Sequence, residues 1–215
     1  MALSKVNFNS LNVTPSASKA VKFNSSNNGL ETGDVGGSLV LISTQTASSS
    51  SAISFTSGID STYKEYVFKF INIHPSGDGS DGVFKFQADT GTNTNYNQTI
   101  TSTYFIAYHK EDGSETSLGY STGGDLAQGT GFQYIGSGDT DSDSGISGYL
   151  HLFDPSNTTF VKHFIARSNC YNANDYSQDF YAAGYFNTTS AIDAIQFKMV
   201  SGNIDAGTIK LYGIK

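Results

Sequence analysis

Three aspartates alternate with small polar residues in the segment DTDSDSG, at Asp139, Asp141 and Asp143. Calcium binds six to eight oxygen ligands, and alternating aspartates followed by a glycine are typical of the start of an EF-hand loop. Here the glycine falls at the seventh position instead of the sixth, and Leu150 occupies the twelfth, where an EF-hand has glutamate. The segment therefore favours a solvated acidic loop. A calcium site is the alternative, and we predict no metal-binding residue.

Four histidines could act as metal ligands or as bases, namely His74, His109, His151 and His163. If the chain makes a hairpin turn at DPSNT (154–158), His151 and His163 lie opposite each other on neighbouring strands. Two imidazoles alone are two ligands short of a tetrahedral zinc site. The histidines therefore do not change the prediction that no metal is bound.

The groups that enzymes use for hydrolysis are sparse. No GxSxG nucleophile motif occurs, and neither a phosphate-binding loop nor a dinucleotide fingerprint is present. Glycoside hydrolysis needs two facing carboxylates, but there are only four glutamates, and three of them fall in segments that we predict to be arm or loops. The single Cys170 has no metal or redox spacing around it. We predict no catalytic residue, no cofactor and no enzymatic activity. The glutamates are Glu31, Glu65, Glu111 and Glu115.

Tyrosines and one arginine are candidates for binding. Tyr104 with Tyr108, and Tyr181 with Tyr185, are spaced to share one face of a strand. Exposed tyrosines can stack on sugars or anchor a protein interface, although the same spacing also fits residues at the edge of a β-core. Arg167 is the only arginine; it could form a bidentate pair with a carboxylate across a subunit boundary, but the sequence identifies no such partner.

The composition excludes several classes of protein. Only 14% of the 215 residues are charged, and 12 Lys and Arg against 19 Asp and Glu leave no basic patch for nucleic acid. No apolar run approaches 18 residues, so we expect no membrane insertion. The beginning, MALSKVNFNS, lacks the basic and apolar regions of a secretory signal. We therefore expect synthesis in a cytoplasm without standard export.

From residue 38 onward the hydrophobic pattern has a period of two, which predicts an all-β fold. In KEYVFKFINI (64–73) both faces are apolar, which predicts a central strand covered on both sides. The polar segments 89–101 and 109–131 are expected to be excursions that carry binding loops. The segment 191–200 also fits a helical face, but a strand is favoured there. The predicted strands are 38–43, 64–73, 82–88, 102–108, 132–136, 146–153, 159–167, 180–186, 191–200 and 208–214.

The pattern predicts two regions. Residues 1–37 are poor in apolar positions and rich in Ser and Asn, and we interpret them as an extended arm that lies against a partner or a neighbouring copy. Residues 38–215 are expected to form one antiparallel β-sandwich of roughly 8–10 strands.

The closing segment SGNIDAGTIKLYGIK (201–215) resembles the terminal hairpin of virion proteins of bacteriophages, especially marine ones. The segments 37–76 and 153–169 are similar to the same domain type, so the resemblance covers roughly residues 37–215. It rests on fold-pattern motifs, and no functional residue is carried over from it.

The resemblance implies a jelly-roll sandwich on the exterior of a virion, as a tail or fibre component or as capsid decoration. It implies a homo-oligomer, with a trimer favoured, and contacts with other virion proteins of the capsid or tail. Two other functions stay open. One is a module that binds a host receptor or a surface glycan, and the other is a tail enzyme that cleaves polysaccharide.

Overall fold

The computed structural model describes residues 13, 14, 16, 19–34, 38–172 and 174–215, and these residues contain strands and no helix. The chain divides into two compact units, Met1–Ser38 and Leu39–Lys215. The first unit contains strands β1 (Lys19–Phe23) and β2 (Leu30–Asp34). The second contains β3 (Leu39–Thr46), β4 (Ile53–Phe55), β5 (Glu65–Pro75), β6 (Val83–Asp89), β7 (Ile100–Lys110), β8 (Thr116–Tyr120), β9 (Gln133–Ser137), β10 (Gly145–Phe153), β11 (Lys162–Asn172), β12 (Tyr176–Phe186), β13 (Ala194–Met199) and β14 (Ile204–Ile214).

The second unit is an antiparallel β-sandwich, which confirms the predicted fold class. Eight strands form the large sheet, in the order β3-β14-β5-β10-β11-β12-β7-β8, and four form the small sheet, in the order β4-β13-β6-β9. Each of the ten predicted strands overlaps an observed one. Strand β4 was not predicted because it has only three residues. Strand β8 lies inside the segment 109–131, which was predicted to be an excursion without strands.

The core between the sheets consists mainly of phenylalanine rings. Phe197 of the small sheet is fully buried, and its ring contacts rings from both sheets at centroid distances between 5.3 and 6.2 Å. A second group joins Phe86 of the small sheet to Phe164 and Phe186 of the large sheet. These contacts align the sheets and leave the opposite face of the large sheet free for other contacts. The rings around Phe197 are Phe55, Phe68, Phe70, Phe84 and Phe86.

The prediction that the strand at 64–73 is covered on both sides is wrong for most of its outer face. Ile71 points away from the core and is 42% exposed. Asn72 adopts a positive φ of 50°, and the register with β10 shifts at this point. Such a bulge turns the following side chain to the other face of the sheet. Ile73 therefore joins the core instead of sharing the outer face with Ile71.

Buried amide side chains fasten the two excursions at 89–101 and 109–131 to the sandwich. Gln87 is fully buried, and its Nε2 donates hydrogen bonds to the carbonyl groups of Gln98, Thr130 and Gly131. Gln133 donates from its Nε2 to the carbonyl of Gly124. Both glutamines belong to strands, β6 and β9, so they attach the excursions to the sandwich. They also provide donors for backbone carbonyl groups that would otherwise lack a hydrogen bond.

In the first unit, β1 and β2 pair as an antiparallel hairpin, where the sequence predicted an extended arm. Its turn is closed by a hydrogen bond from the Asn24 backbone N–H to the Gly29 carbonyl. Val21, Phe23 and Leu30 are exposed, Phe23 to 71%. A two-stranded hairpin by itself is marginally stable in water. The predicted arm residues 1–12, 15, 17, 18 and 35–37 lie outside the described residues.

None of the described residues belongs to a helix long and apolar enough to cross a membrane.

Candidate interaction face

The surface of the large sheet that points away from the core, which we call the outer face, is the candidate functional surface. Successive side chains of a strand alternate between the two faces of a sheet. The side chains that alternate with the core residues therefore lie on the outer face. Several of them are large and apolar, including Ile165 and Phe105, and edge strand β8 adds Leu118 and Tyr120 at 71% and 56% exposure. Exposed apolar patches of this kind mark interaction surfaces.

One row of side chains crosses the entire outer face. The strand registers place one residue of each strand directly opposite the next, and we call this row the ladder. In strand order, the ladder consists of Thr44, Lys210, Lys69, Tyr149, Arg167, Tyr181, Phe105 and Tyr120.

The two halves of the ladder differ in chemistry. Lys210 and Lys69 lie directly opposite each other on β14 and β5. Neither has a carboxylate within salt-bridge distance among the residues that the structure describes. The other half is aromatic: the rings of Phe105 and Tyr181 are stacked 4.6 Å apart with an interplanar angle of 8°. Directly opposed like charges destabilise a sheet, and within the chain Lys69 is compensated by the Tyr212 ring, 5.5 Å from its Nζ.

Arg167 connects the two halves. Its guanidinium lies 4.8 Å from the centroid of the Tyr181 ring and pairs bidentately with Asp179, with Nη2 donating over 2.6 Å and Nε over 3.1 Å. These hydrogen bonds raise the pKa of Arg167. Tyr181 also donates its hydroxyl to Asp179, which raises the tyrosine pKa. The carboxylate thus comes from the same chain, and the expectation of a partner across a subunit boundary is corrected.

A shallow depression of about 350 Å³ lies beside this ion pair. At its base, β10 and β11 approach so closely that a Cβ atom at Gly148 would lie 2.2 Å from the Arg167 carbonyl oxygen, which requires glycine there. Aromatic, amide, hydroxyl, cationic and carboxylate groups meet within it. Its lining includes Ser147, Tyr149, Arg167, Asn169 and Asp179.

The four tyrosines singled out by sequence occupy different environments. Tyr104 is 3% exposed and stacks on Phe180 in the core, and burial raises its pKa. It therefore cannot act as an exposed binding residue. Tyr108 is half-buried against Tyr176, whereas Tyr181 and Tyr185 belong to the outer face.

The expected pairing of two histidines is wrong. His151 lies opposite Ile165, and His163 lies opposite Tyr185 on the next strand. The observed register places the partner of His151 two residues further along β11 than His163. His151 instead contacts Glu65 through its Nδ1.

The acidic segment 139–145 does not form a metal-binding cluster. Asp139 is buried and accepts a hydrogen bond from the Asp141 backbone N–H, while the side chains of Asp141 and Asp143 are exposed. In the described part of the chain, no group of three or more His, Cys, Asp or Glu side chains could hold a metal ion.

Three of the glutamates contact side chains that are not acids. Glu65 contacts His151, Glu115 accepts a hydrogen bond from the Tyr176 hydroxyl, and Glu31 pairs with Lys22 in the hairpin of the first unit. The Tyr176 contact raises the pKa of that tyrosine to about 12. Each of these three glutamates therefore pairs with a basic or hydroxyl side chain and not with a second carboxylate.

Cys170 lies in the core, 1% exposed. Burial raises the pKa of its thiol to about 12, so the reactive thiolate is scarce at neutral pH.

Compared with known protein families, curated proteins and solved structures, the chain matches none of them.

Proposed function

We propose that the protein is a non-enzymatic structural protein on the exterior of a bacteriophage virion, as a tail or fibre component or as capsid decoration. It would be made in the host cytoplasm and would act by self-assembly and by anchoring through its N-terminal arm. The jelly-roll connectivity implied by the resemblance is part of this proposal. The observation that carries it is the outer face, a broad sheet surface with exposed aromatic and aliphatic side chains.

The outer face supports assembly for a physical reason. Large apolar side chains that remain in water are costly, and a second surface that covers them recovers about 25 cal/mol for each Å² of apolar area buried. Aromatic residues and arginine are also the types enriched at the centres of protein interfaces. Tyr149, Arg167, Tyr181 and Phe105 lie side by side in the ladder.

The hairpin of the first unit supports anchoring. Val21 and Phe23 are two residues apart on β1, Phe23 lies opposite Leu30, and all three are exposed. Because such a hairpin is marginally stable alone, contact with another virion protein would stabilise it. The contact would be mainly apolar.

The proposal is tested on purified bacteriophage particles whose genome encodes this chain. We expect density-gradient fractions of intact particles to contain the chain in many copies, measured by quantitative mass spectrometry, and a density map to place it on the exterior. Particles that assemble fully without the chain in any fraction would overturn the proposal.

Anchoring is tested with the double variant Phe23→Ser/Leu30→Ser. Incorporation into particles should fall severalfold, while the unfolding transition of the second unit stays unchanged. The matched control is Phe160→Ser, because Phe160 is similarly exposed at 68% but lies in a loop of the second unit. Normal incorporation of the double variant would exclude anchoring through the hairpin.

A second candidate function is binding of a host surface glycan, which the depression beside Arg167 favours. Sugars are bound by an aromatic ring together with fixed hydrogen-bonding groups, and Tyr149, Arg167 and Asp179 provide both. Retention of the full chain on immobilised host polysaccharide should then be lost in Tyr149→Ala. It should be kept in Tyr212→Ala, which changes a tyrosine of the same sheet outside the depression.

A further inference from the structure

We propose that the outer face packs against the outer face of a second copy of this chain, related by a two-fold axis that runs along the strands between β10 and β11. This inference rests on the proposed self-assembly and names the partner and the contact.

The ladder is self-complementary about this axis. A two-fold axis parallel to the strands turns the second sheet over and reverses its strand order. Strand β5 of one copy therefore faces β12 of the other, and β14 faces β7. Lys69 then faces Tyr181 of the other copy, and Lys210 faces Phe105. Each contact occurs twice, as a two-fold interface requires.

The contact explains why two lysines lie side by side on this face. A cation placed over an aromatic face within about 6 Å is attracted to it, and the attraction is stronger when water is excluded. Within its own chain, Lys69 lies 5.5 Å from the Tyr212 ring, and Arg167 lies 4.8 Å from the Tyr181 ring. In the dimer, Lys69 also comes near Asp179, which lies two residues from Tyr181 on β12. Both faces of the Tyr181 ring are already covered, by Arg167 and by Phe105, so Lys69 gains the Tyr181 hydroxyl edge and the carboxylate of Asp179 from the second copy. Lys210 gains the apolar ring of Phe105, against which its aliphatic stem packs.

The area is sufficient for a stable dimer. Eight strands spaced about 4.8 Å apart make the large sheet roughly 34 Å wide, and the longer strands have 11 residues. The resulting surface is on the order of 1,000 Å², compared with about 800 Å² for each partner in a standard interface. Two stacked sheets pack with their strands within about 30° of each other, which suits an axis parallel to the strands. Combined with a three-fold assembly through another face, this contact would produce six chains.

The test uses the full chain and analytical ultracentrifugation. We expect the wild-type chain to form a dimer or a larger assembly that contains it. Phe105→Lys places a second cation opposite Lys210, and Lys210→Glu removes the cation from the same contact. Each variant should raise the dissociation constant at least about tenfold. The double variant Phe105→Lys/Lys210→Glu should restore association, because the introduced lysine of one copy then faces the introduced glutamate of the other. Phe160→Lys is the control for adding a cation at an exposed phenylalanine.

Three outcomes would overturn this contact. Lys210→Glu leaves the core intact, so it keeps the test valid if Phe105→Lys fails to fold by circular dichroism. Association that is unchanged in the single variants would show that assembly uses another face, and the proposed virion role would stand. A double variant that is weaker than both single variants would exclude this axis. A wild-type chain that remains monomeric at high concentration would overturn the contact, while incorporation into particles would judge the virion role separately.

Discussion

Phe197 is the residue on which the packing of the two sheets most depends. It extends from the small sheet, and its ring contacts Phe68 and Phe70 of the large sheet edge-to-face at 5.3 Å. Core side chains of this size leave a cavity when they are removed, because the surroundings collapse only in part.

We expect Phe197→Ala to lower the free energy of unfolding by about 3–5 kcal/mol. Urea denaturation followed by circular dichroism measures the change. Phe160→Ala, which removes an exposed ring, is the control and should change stability by less than about 0.5 kcal/mol. A loss below about 1 kcal/mol in Phe197→Ala would contradict the described core.

Asp89 ends β6 and holds the following loop by its carboxylate. Although burial opposes its ionisation, hydrogen bonds from the backbone N–H groups of Tyr96, Thr90 and Asn95 outweigh it and lower the pKa of Asp89 below the ordinary 3.8. A carboxylate whose pKa is lowered by folding stabilises the native state above its unfolded pKa, and this contribution is lost as the pH falls through the folded value.

Asp89→Asn should therefore lower the free energy of unfolding at pH 7 by about 1–3 kcal/mol, the cost of weakening buried hydrogen bonds to a charge. The difference from wild type should shrink as the pH falls below about 4 and through the lowered pKa of the folded state, because the wild-type carboxyl takes up a proton there. Thermal melts across this range measure it. The exposed variant Asp143→Asn is the control, and a difference independent of pH would contradict this role of the carboxylate.

At the scale of elements, alternation of apolar residues predicted ten of the twelve strands of the sandwich and missed the short β4 and the exposed β8. Phe84 and Phe86 are fully buried in the core, because a period of two in the strand predicted at 82–88 specifies one inward face. The same alternation assigns Gln87 to the opposite, polar face. It is buried nonetheless, because the excursions fold over that face, and no local pattern encodes which distant carbonyl groups it will bind.

The bulge at Asn72 and the ladder were also beyond prediction from the sequence. A bulge depends on the backbone conformation of one residue and reverses the facing of those that follow. The ladder depends on seven strand registers at once, and some of its neighbouring strands, such as β3 and β14, are distant in the chain. The outward positions of each strand could be read from alternation, but not which of them become neighbours.

Gln87→Leu should loosen the excursions while leaving the sandwich folded. The substitution keeps the size but leaves the carbonyl groups of Gln98, Thr130 and Gly131 without their donor. Hydrogen exchange of the segments 89–101 and 121–131 should accelerate about tenfold or more, in proportion to the lost hydrogen bonding. The control is Gln196→Leu, since Gln196 donates to the single Ser54 hydroxyl. Equal exchange in both variants would contradict this fastening.

At the scale of the whole molecule, stability depends little on ion pairs. The ion pairs among the described residues lie at the surface, as in Lys64 with Asp154, where the lysine side chain is 78% exposed. Exposed pairs of this kind contribute about 0–1 kcal/mol and are screened by salt over about 10 Å or less.

Raising sodium chloride from about 0.1 M to a seawater-like level of about 0.6 M should therefore change the free energy of unfolding by less than about 1 kcal/mol. Denaturation at constant protein concentration measures this. A loss of several kcal/mol in high salt would show that ion pairs are a major source of stability, and Arg167→Gln would then identify whether the pair with Asp179 is responsible.

The buried thiol makes the native chain suitable for site-specific labelling. Because Cys170 is the only cysteine and lies in the core, a maleimide dye should leave it untouched while the sandwich is folded. A cysteine introduced at an exposed position such as Leu118 would then be the sole site of attachment, with no need to remove the natural one. The rate at which Cys170 itself is labelled would measure how often the sandwich opens. The same protein would thus report contacts with partners, through the dye at position 118, and opening of its core, through Cys170.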